Sequence, residues 1–279
     1  MRVVRADNAG ACYGVQRALN LALRAADEGG AGASTLGPLI HNPQVVSELA
    51  ERGIRAVSDV VEVERGSVII RSHGVTPEVR RGVEERGLPI IDATCPHVSR
   101  AQKAAAELAQ SCACVVVVGE AGHPEVEGLV AYAREAGGAV VVAASPADLP
   151  KEVPSPAGVV VQTTQRHEVF DAVIEELRRR GVRLDVRDTI CFATTQRQEA
   201  AAALARTVDA VVVIGGRNSS NTTRLAEICA AACPRTYHIE TPDELQGFWF
   251  DGCKDVGVTA GASTPESQIA AVVERLSTF

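Results

Sequence analysis

The 279-residue sequence predicts an α/β fold of three similar lobes, each built on a small parallel sheet and together arranged as a pseudo-threefold trefoil around a central site. Three observations predict it. Cys12, Cys95 and Cys191 each open an Ala- and Leu-rich stretch of helical character: CYGVQRALNLALRAA, CPHVSRAQKAAAELAQ and CFATTQRQEAAAALA. A polar loop leading into a second helix follows at nearly constant spacing: Cys12 to His41 is 29 residues, Cys95 to His123 is 28, and Cys191 to Ser220 is 29. A third unit then recurs as strand, polar turn and amphipathic helix.

In order along each lobe, the elements read as follows. The second-unit loops are GPLIHNPQ, GEAGHPEV and GGRNSSNTT. In lobes two and three they follow the apolar runs CVVVVG and AVVVIGG, expected as buried parallel strands; in lobe one the run ASTLGPLI is weak. The third units are SVIIRSHGVTPEVRRGVEER, GVVVQTTQRHEVFDAVIEEL and VGVTAGASTPESQIAAVVERL. Closing strands LPIIDATC and VRLDVRDTIC lead to the next cysteine. The third lobe lacks one, and RVVRAD at the N-terminus is expected to supply it. The lobes are therefore drawn at 13–95, 96–191 and 192–279, with residues 1–12 completing the last. Strand–helix alternation implies right-handed crossovers, and ligands of such sheets bind beyond the carboxyl ends of the strands. All three cysteines and all the polar loops lie at strand-to-helix turns, so the repeat aims them at one centre.

Composition narrows the function. The chain is 46% hydrophobic and 23% charged, with net charge −7 and 3% aromatics. Nucleic-acid binding favours a basic face and stacking rings, so nucleic acid is not expected as a partner. No secretory h-region opens the chain, and no window approaches the roughly 18 apolar residues of a membrane span. A cytoplasmic setting is expected. There, cysteines are metal ligands, catalytic thiols or core residues rather than disulfides.

Three equivalent cysteines on one axis make a Cys₃ site. Thiolates bind iron–sulfur clusters and zinc, and a helix N-terminus favours the thiolate. Three ligands on a four-iron cluster leave one iron open. Structural zinc wants a fourth protein ligand, and the sequence contains no C-x-x-C. The remaining alternative is three buried small hydrophobes. Cys112, Cys114, Cys229, Cys233 and Cys253 fall outside the register and read as core or surface residues.

The loops supply His41-Asn42, His123-Pro124-Glu125 and Ser219-Ser220-Asn221, then His73, Thr163-Thr164 and Ser263. Histidine, hydroxyl and amide donors around helix N-termini make an anion site suited to a phosphate-bearing ligand. Capping competes: Asn42 and Thr76 suit caps, Ser263 with Glu266 reads as a capping box, and Pro43, Pro77, Pro124 and Pro265 read as first-turn prolines. Glu125 is the one carboxylate among these candidate residues, either a proton donor or a first-turn residue favoured by the helix dipole. No nicotinamide, flavin or ATP fingerprint is present. Redox chemistry would need electrons from another protein.

The motifs C-Y-G-V-Q-R-A, I-H-N, S-H-G-V, D-A-T-C-P, G-H-P-E-V-E-G, Q-T-T, C-F-A-T-T-Q-R-Q-E-A, N-S-S-N and G-A-S-T-P occur in that order across almost the whole chain. In this the sequence resembles the 4-hydroxy-3-methylbut-2-enyl diphosphate reductase (LytB) family of the non-mevalonate isoprenoid pathway. The resemblance implies a [4Fe–4S] cluster on Cys12, Cys95 and Cys191 and reductive removal of an allylic hydroxyl. It implies that His41, His73, Ser219, Ser220, Asn221 and Ser263 hold the diphosphate. His123, Glu125 and Thr163 would then surround the hydroxyl end, with Glu125 feeding protons, and a small ferredoxin or flavodoxin would supply electrons. Gln196 stands where the family usually has Asn, and Ala11 where it usually has an aromatic or larger apolar residue; both bear on the cluster's surroundings rather than its ligands. The competing readings are a cluster-dependent hydro-lyase, which needs no reductant, and a non-catalytic zinc-binding protein.

Overall fold

The computed structural model describes residues 1–28 and 32–279; residues 29–31, inside the expected first lobe, lie outside the described residues. The chain runs β1 (Arg2–Arg5), α1 (Tyr13–Glu28), β2 (Ala33–Leu36), α2 (Pro43–Glu51), β3 (Ile54–Val57), β4 (Ser67–Ile70), α3 (Pro77–Glu85) and β5 (Ile90–Asp92). It continues with α4 (Pro96–Ser111), β6 (Cys114–Val118), α5 (Pro124–Glu135), β7 (Ala139–Ala143), β8 (Ala157–Val161), α6 (His167–Arg179) and β9 (Leu184–Arg187). The last stretch is α7 (Phe192–Ala205), β10 (Ala210–Ile214), α8 (Ser220–Ala232), β11 (Thr236–Ile239), β12 (Asp255–Ala260) and α9 (Glu266–Leu276).

The strands form three four-stranded sheets, ordered β3-β2-β4-β5, β7-β6-β8-β9 and β11-β10-β12-β1. Every pairing is parallel. The order is the same each time, and β1, paired to β12 from Arg2↔Asp255 to Arg5↔Val258, takes the edge that β5 and β9 take in the other sheets. The central strands β6, β8 and β10 are buried along their whole length, as a sheet covered on both faces requires. By compactness the chain divides into one unit of residues 1–16, 40–45 and 192–279 and another of residues 17–39 and 46–191. The first contains the β11-β10-β12-β1 sheet, the second the other two.

The edge strands β3, β7 and β11 are a fourth repeated unit that the sequence pattern did not reveal. Each is followed by a one-turn 3-10 helix closed by a capping box: Asp59 with Glu62, Ser145 with Asp148, Thr241 with Glu244. The helix starts are as expected at Pro43, Pro77 and Pro124, with Pro96 an additional case. Pro265 differs: it is the N-cap of α9, with extended backbone (φ −65°, ψ 156°). The helix therefore begins at Glu266, and the expected Ser263–Glu266 capping box does not form.

Two of the helices that follow the cysteines, α4 and α7, pack closely on their sheets because a strand glycine leaves room. A Cβ built on Gly158 in β8 would lie 2.7 Å from Leu108 Cβ on α4, and one on Gly257 in β12 would lie 2.9 Å from Leu204 Cδ2 on α7. Gly158→Ala is expected to destabilise by about 1–3 kcal/mol; a lower midpoint in urea with an unchanged slope would show it. No helix among the described residues is long and apolar enough to cross a membrane.

Candidate active site

Each of the three cysteines sits between a sheet edge and the first turn of a helix, and none is in a disulfide. All three are half-buried. Their backbone amides share one arrangement. Cys12 N–H donates to Ala262 O (3.1 Å), Cys95 N–H to Ser72 O (2.9 Å) and Cys191 N–H to Thr163 O (2.9 Å). Ala262 precedes Ser263, Ser72 precedes His73, and Thr163 is itself a candidate site residue. The fold thus ties every candidate metal ligand, through a single hydrogen bond, to a polar loop of the third repeated unit.

In the larger unit the loops assemble an acid group. Glu125 lies in the first turn of α5, only 1% exposed. Its Oε1 accepts from Thr163 N–H (2.6 Å) and its Oε2 from Thr163 Oγ1–H (2.8 Å). Burial pushes its carboxyl up to about 7, against the pull of the two Thr163 hydrogen bonds. The helix-dipole reading of Glu125 accounts for neither the burial nor a partner 38 residues away. His123 is the N-cap of α5, and its Nδ1 accepts from Glu125 N–H (3.1 Å). A neutral ring accepting at Nδ1 carries its proton on Nε2. The His73 ring meets the His123 ring edge-on, centroids 5.8 Å apart. His73, expected beside the diphosphate donors, is thus placed among the residues expected at the hydroxyl end.

In the smaller unit the remaining loops meet. Ser263 Oγ–H donates to His41 O (3.0 Å), and Asn42 Nδ2–H donates to Ser263 O (3.0 Å). Asn42 Oδ1 also accepts from Val45 N–H, capping α2 as the sequence suggested. A Cβ on Gly216, in the loop leading into α8, would lie 2.9 Å from His41 O, so this glycine admits the loop that carries His41 into α2. Ser219 is the N-cap of α8, Ser220 its first residue, and Asn221 is buried at 4% exposure. Both polar atoms of the Asn221 amide lack a hydrogen-bond partner. A buried amide without partners is costly, and one placed in the first turn of a helix is suited to a polar ligand. His41, Ser263, Ser219, Ser220 and Asn221 are therefore neighbours around three helix starts, those of α2, α8 and α9. The part of Asn42 in pinning Ser263 went unread, because 221 residues separate the two and no local pattern links them.

Three free thiols in one repeated local setting fit a thiolate-ligated cluster in donor chemistry. Among the described residues no group of three or more His, Cys, Asp or Glu is gathered to hold one metal ion; a cluster, which offers each thiolate its own iron, does not ask for that. Of the other cysteines, Cys114, Cys229 and Cys233 are buried in the core. Burial pushes the Cys229 thiol up to about 12, as for an inert core residue.

The chain matches the family model for LytB protein over residues 3–277. It is 48% identical to the 4-hydroxy-3-methylbut-2-enyl diphosphate reductase of Geobacter sulfurreducens, covering 100% of this chain and 98% of that one. To the reductase of Geobacter metallireducens it is 47% identical, covering 99% and 97%. A solved structure of (E)-4-hydroxy-3-methyl-but-2-enyl diphosphate reductase, the terminal enzyme of the non-mevalonate pathway, superposes with a TM-score of 0.74 at 43% identity, over all of both chains. The Plasmodium falciparum reductase, at 24% identity, shares the fold with a TM-score of 0.90 over 98% of this chain and 87% of that one. Sequence motifs, sheet order and full-length matches agree, and the chain belongs to the LytB protein family.

Proposed function

We propose that the chain removes the allylic hydroxyl of 4-hydroxy-3-methylbut-2-enyl diphosphate reductively, giving isopentenyl and dimethylallyl diphosphate. The observation that supports this best is the shared amide arrangement, which binds each cysteine loop to a loop bearing a candidate substrate residue. Cys12, Cys95 and Cys191 hold a [4Fe–4S] cluster. When bound, the cluster supplies electrons one at a time and an iron free to act as a Lewis acid.

The chain's own residues do the rest. His41, His73, Ser219, Ser220, Asn221 and Ser263 hold the diphosphate, with His73, edge-on to the His123 ring, at the end nearest the hydroxyl; local donors and helix N-termini compensate for the acidic net charge. Asn221 contributes an amide that is buried without a partner and gains one when the ligand arrives. His123, Glu125 and Thr163 face the hydroxyl end. Glu125, whose carboxyl burial pushes up to about 7, keeps a substantial protonated fraction near neutral pH and gives its proton to the departing hydroxyl, which leaves as water. Thr163, bonded to both carboxylate oxygens, fixes the direction of that proton. The allyl carbon takes two electrons and a second proton, so the reaction consumes two of each. The electrons come from an external carrier, a small ferredoxin or flavodoxin, and the setting is the cytoplasm.

The direct test is anaerobic: reconstituted protein, the allylic diphosphate and a low-potential artificial electron donor, with products read by mass spectrometry. Both five-carbon diphosphates are expected, and only when the donor is present. Turnover without a donor would show a hydro-lyase instead. Asn221→Leu probes the diphosphate end. Removing an unpartnered buried amide is expected to leave the ligand-free chain as stable or more so, by about 1–3 kcal/mol at most, while weakening substrate binding in calorimetry. Unchanged affinity would remove Asn221 from the site.

A further inference from the structure

We propose that Arg17 and Arg197 are positioning residues for the metal-binding thiols: each guanidinium fixes the backbone that delivers one cysteine. The inference rests on the reading that Cys12 and Cys95 are cluster ligands.

Arg17 lies on α1, five residues after Cys12. Its Nη1 donates to Thr94 O and its Nη2 to Asp92 O, both at 3.1 Å. These carbonyls are one and three residues before Cys95. The same stretch is held from its other side by Asp92 Oδ1, which accepts from Thr94 N–H (2.9 Å). Arg197 lies on α7, six residues after Cys191, and is only 4% exposed. Its Nη2 donates to Gly10 O (2.9 Å), two residues before Cys12, and its Nη1 to Ala193 O on its own helix (2.8 Å). Gly10 has a φ of 104°, and a Cβ there would lie 2.8 Å from Ile269 Cδ1. That turn is a glycine turn, and the arginine caps its carbonyl. In both cases the helix behind one cysteine carries the arginine that grips the approach to another.

The second lobe does this differently. Five and six residues after Cys95 come Arg100, which is exposed, and Ala101. The approach to Cys191 is closed by its own side chains: Asp188 Oδ1 accepts from Ile190 N–H (2.9 Å), and Thr189 Oγ1 accepts from Val161 N–H (3.1 Å) and donates to Val161 O.

The choice of arginine is physical. Backbone carbonyls in a loop need donors. A guanidinium satisfies two at once in a rigid planar fork and keeps its charge at any working pH, whereas an ammonium is a point donor on a flexible stem. Partners just outside a metal's ligands orient them and commonly set affinity by about 10–100-fold.

The test uses the cluster-free chain and Arg17→Met and Arg197→Met, which keep most of the side-chain length. Iodoacetamide alkylation is followed at each thiol by peptide mass mapping. Arg17→Met is expected to accelerate alkylation of Cys95 about tenfold, the loss of charge-assisted bonds freeing the loop locally, with Cys12 and Cys191 unchanged. Arg197→Met is expected to accelerate Cys12 alone. Reconstituted variants should also release iron to a chelator about tenfold faster than the unmodified protein. Should a methionine variant fail to fold, Arg17→Lys and Arg197→Lys give the same readout, with acceleration at the same single thiol. Equal acceleration at all three thiols, or at none, overturns the proposal. A parent chain that takes up no iron and sulfide refutes the cluster reading separately, and the alkylation pattern still decides whether the arginines position the loops.

Discussion

Cys95→Ser is expected to abolish reductase turnover while leaving a folded protein. Serine has nearly the volume of cysteine, and the local structure rests on the backbone: Cys95 N–H to Ser72 O, Ser99 N–H to Cys95 O, and the Arg17 bonds to Asp92 and Thr94. None of these needs the sulfur, so the melting temperature of the cluster-free chain should move little. A hydroxyl is a poor ligand for the soft iron of a cluster, and soft thiolate is what such centres select. Cluster content after anaerobic reconstitution should therefore fall with turnover. Cys112→Ser, outside the register, serves as the control and is expected to keep both. A Cys95→Ser protein that retains full iron, sulfide and activity would remove Cys95 from the metal site.

Glu125→Gln is expected to lower turnover by about 100-fold or more, the usual size of a general-acid contribution, with cluster content and substrate affinity retained. Glutamine can still accept from Thr163 N–H at its oxygen, and its amide N–H can donate to Thr163 Oγ1 where the carboxylate accepted, so both contacts survive with one reversed while the acidic proton is lost. The same substitution has a pH signature in stability. The folded-state carboxyl titrates at about 7, above its ordinary value of 4.5, because the ion is buried. The folded chain thus holds its proton more tightly than the unfolded chain. The stability this gives is fully present below about pH 4.5, falls as pH rises to 7, and is gone above it; the difference is about 3 kcal/mol. Glutamine carries no such loss. The variant should match the parent near pH 4 and be more stable at pH 8, in urea unfolding of the cluster-free chains. In the parent, turnover should decline as pH rises beyond about 7, and the variant's residual rate should lack that limb. A variant destabilised equally at both pH values would mean that the carboxylate is structural.

The three cysteine helices were legible because one residue type recurred in register with Ala-rich helix formers behind it, and the buried strands because runs such as Cys114–Val118 and Ala210–Ile214 admit little else. The strand at Arg2–Arg5 was legible by subtraction, since the third lobe lacked the closing strand that the others show. Two of the edge strands were not: Ile54–Val57 and Thr236–Ile239 are only four residues long, and their partly exposed residues give neither clean alternation nor a continuous apolar run; Ala139–Ala143, the apolar run AVVVA, was there to be read. The site divided in the same way. His41, His123 and Glu125 stand out locally, as polar residues at helix starts. Two features depended on the fold. Ser-x-x-Glu at 263–266 fits a capping box, but Pro265 stays extended and delays the helix, freeing Ser263 to reach His41 O across 222 residues. Arg17 and Arg197 look like ordinary helix residues until their carbonyl partners are seen. Long-range hydrogen bonds leave no periodic trace in sequence.

In the proposed mechanism three thiols, one from each repeat, hold one cluster with an iron open to substrate. Electron paramagnetic resonance on reduced, anaerobically reconstituted protein, recorded with and without the allylic diphosphate, tests it most directly. An iron–sulfur signal is expected in the protein alone, a changed signal when the diphosphate is added, and no such signal in Cys12→Ser, Cys95→Ser or Cys191→Ser. A reconstituted protein that carries no iron–sulfur signal, or one whose signal survives all three substitutions, would contradict it.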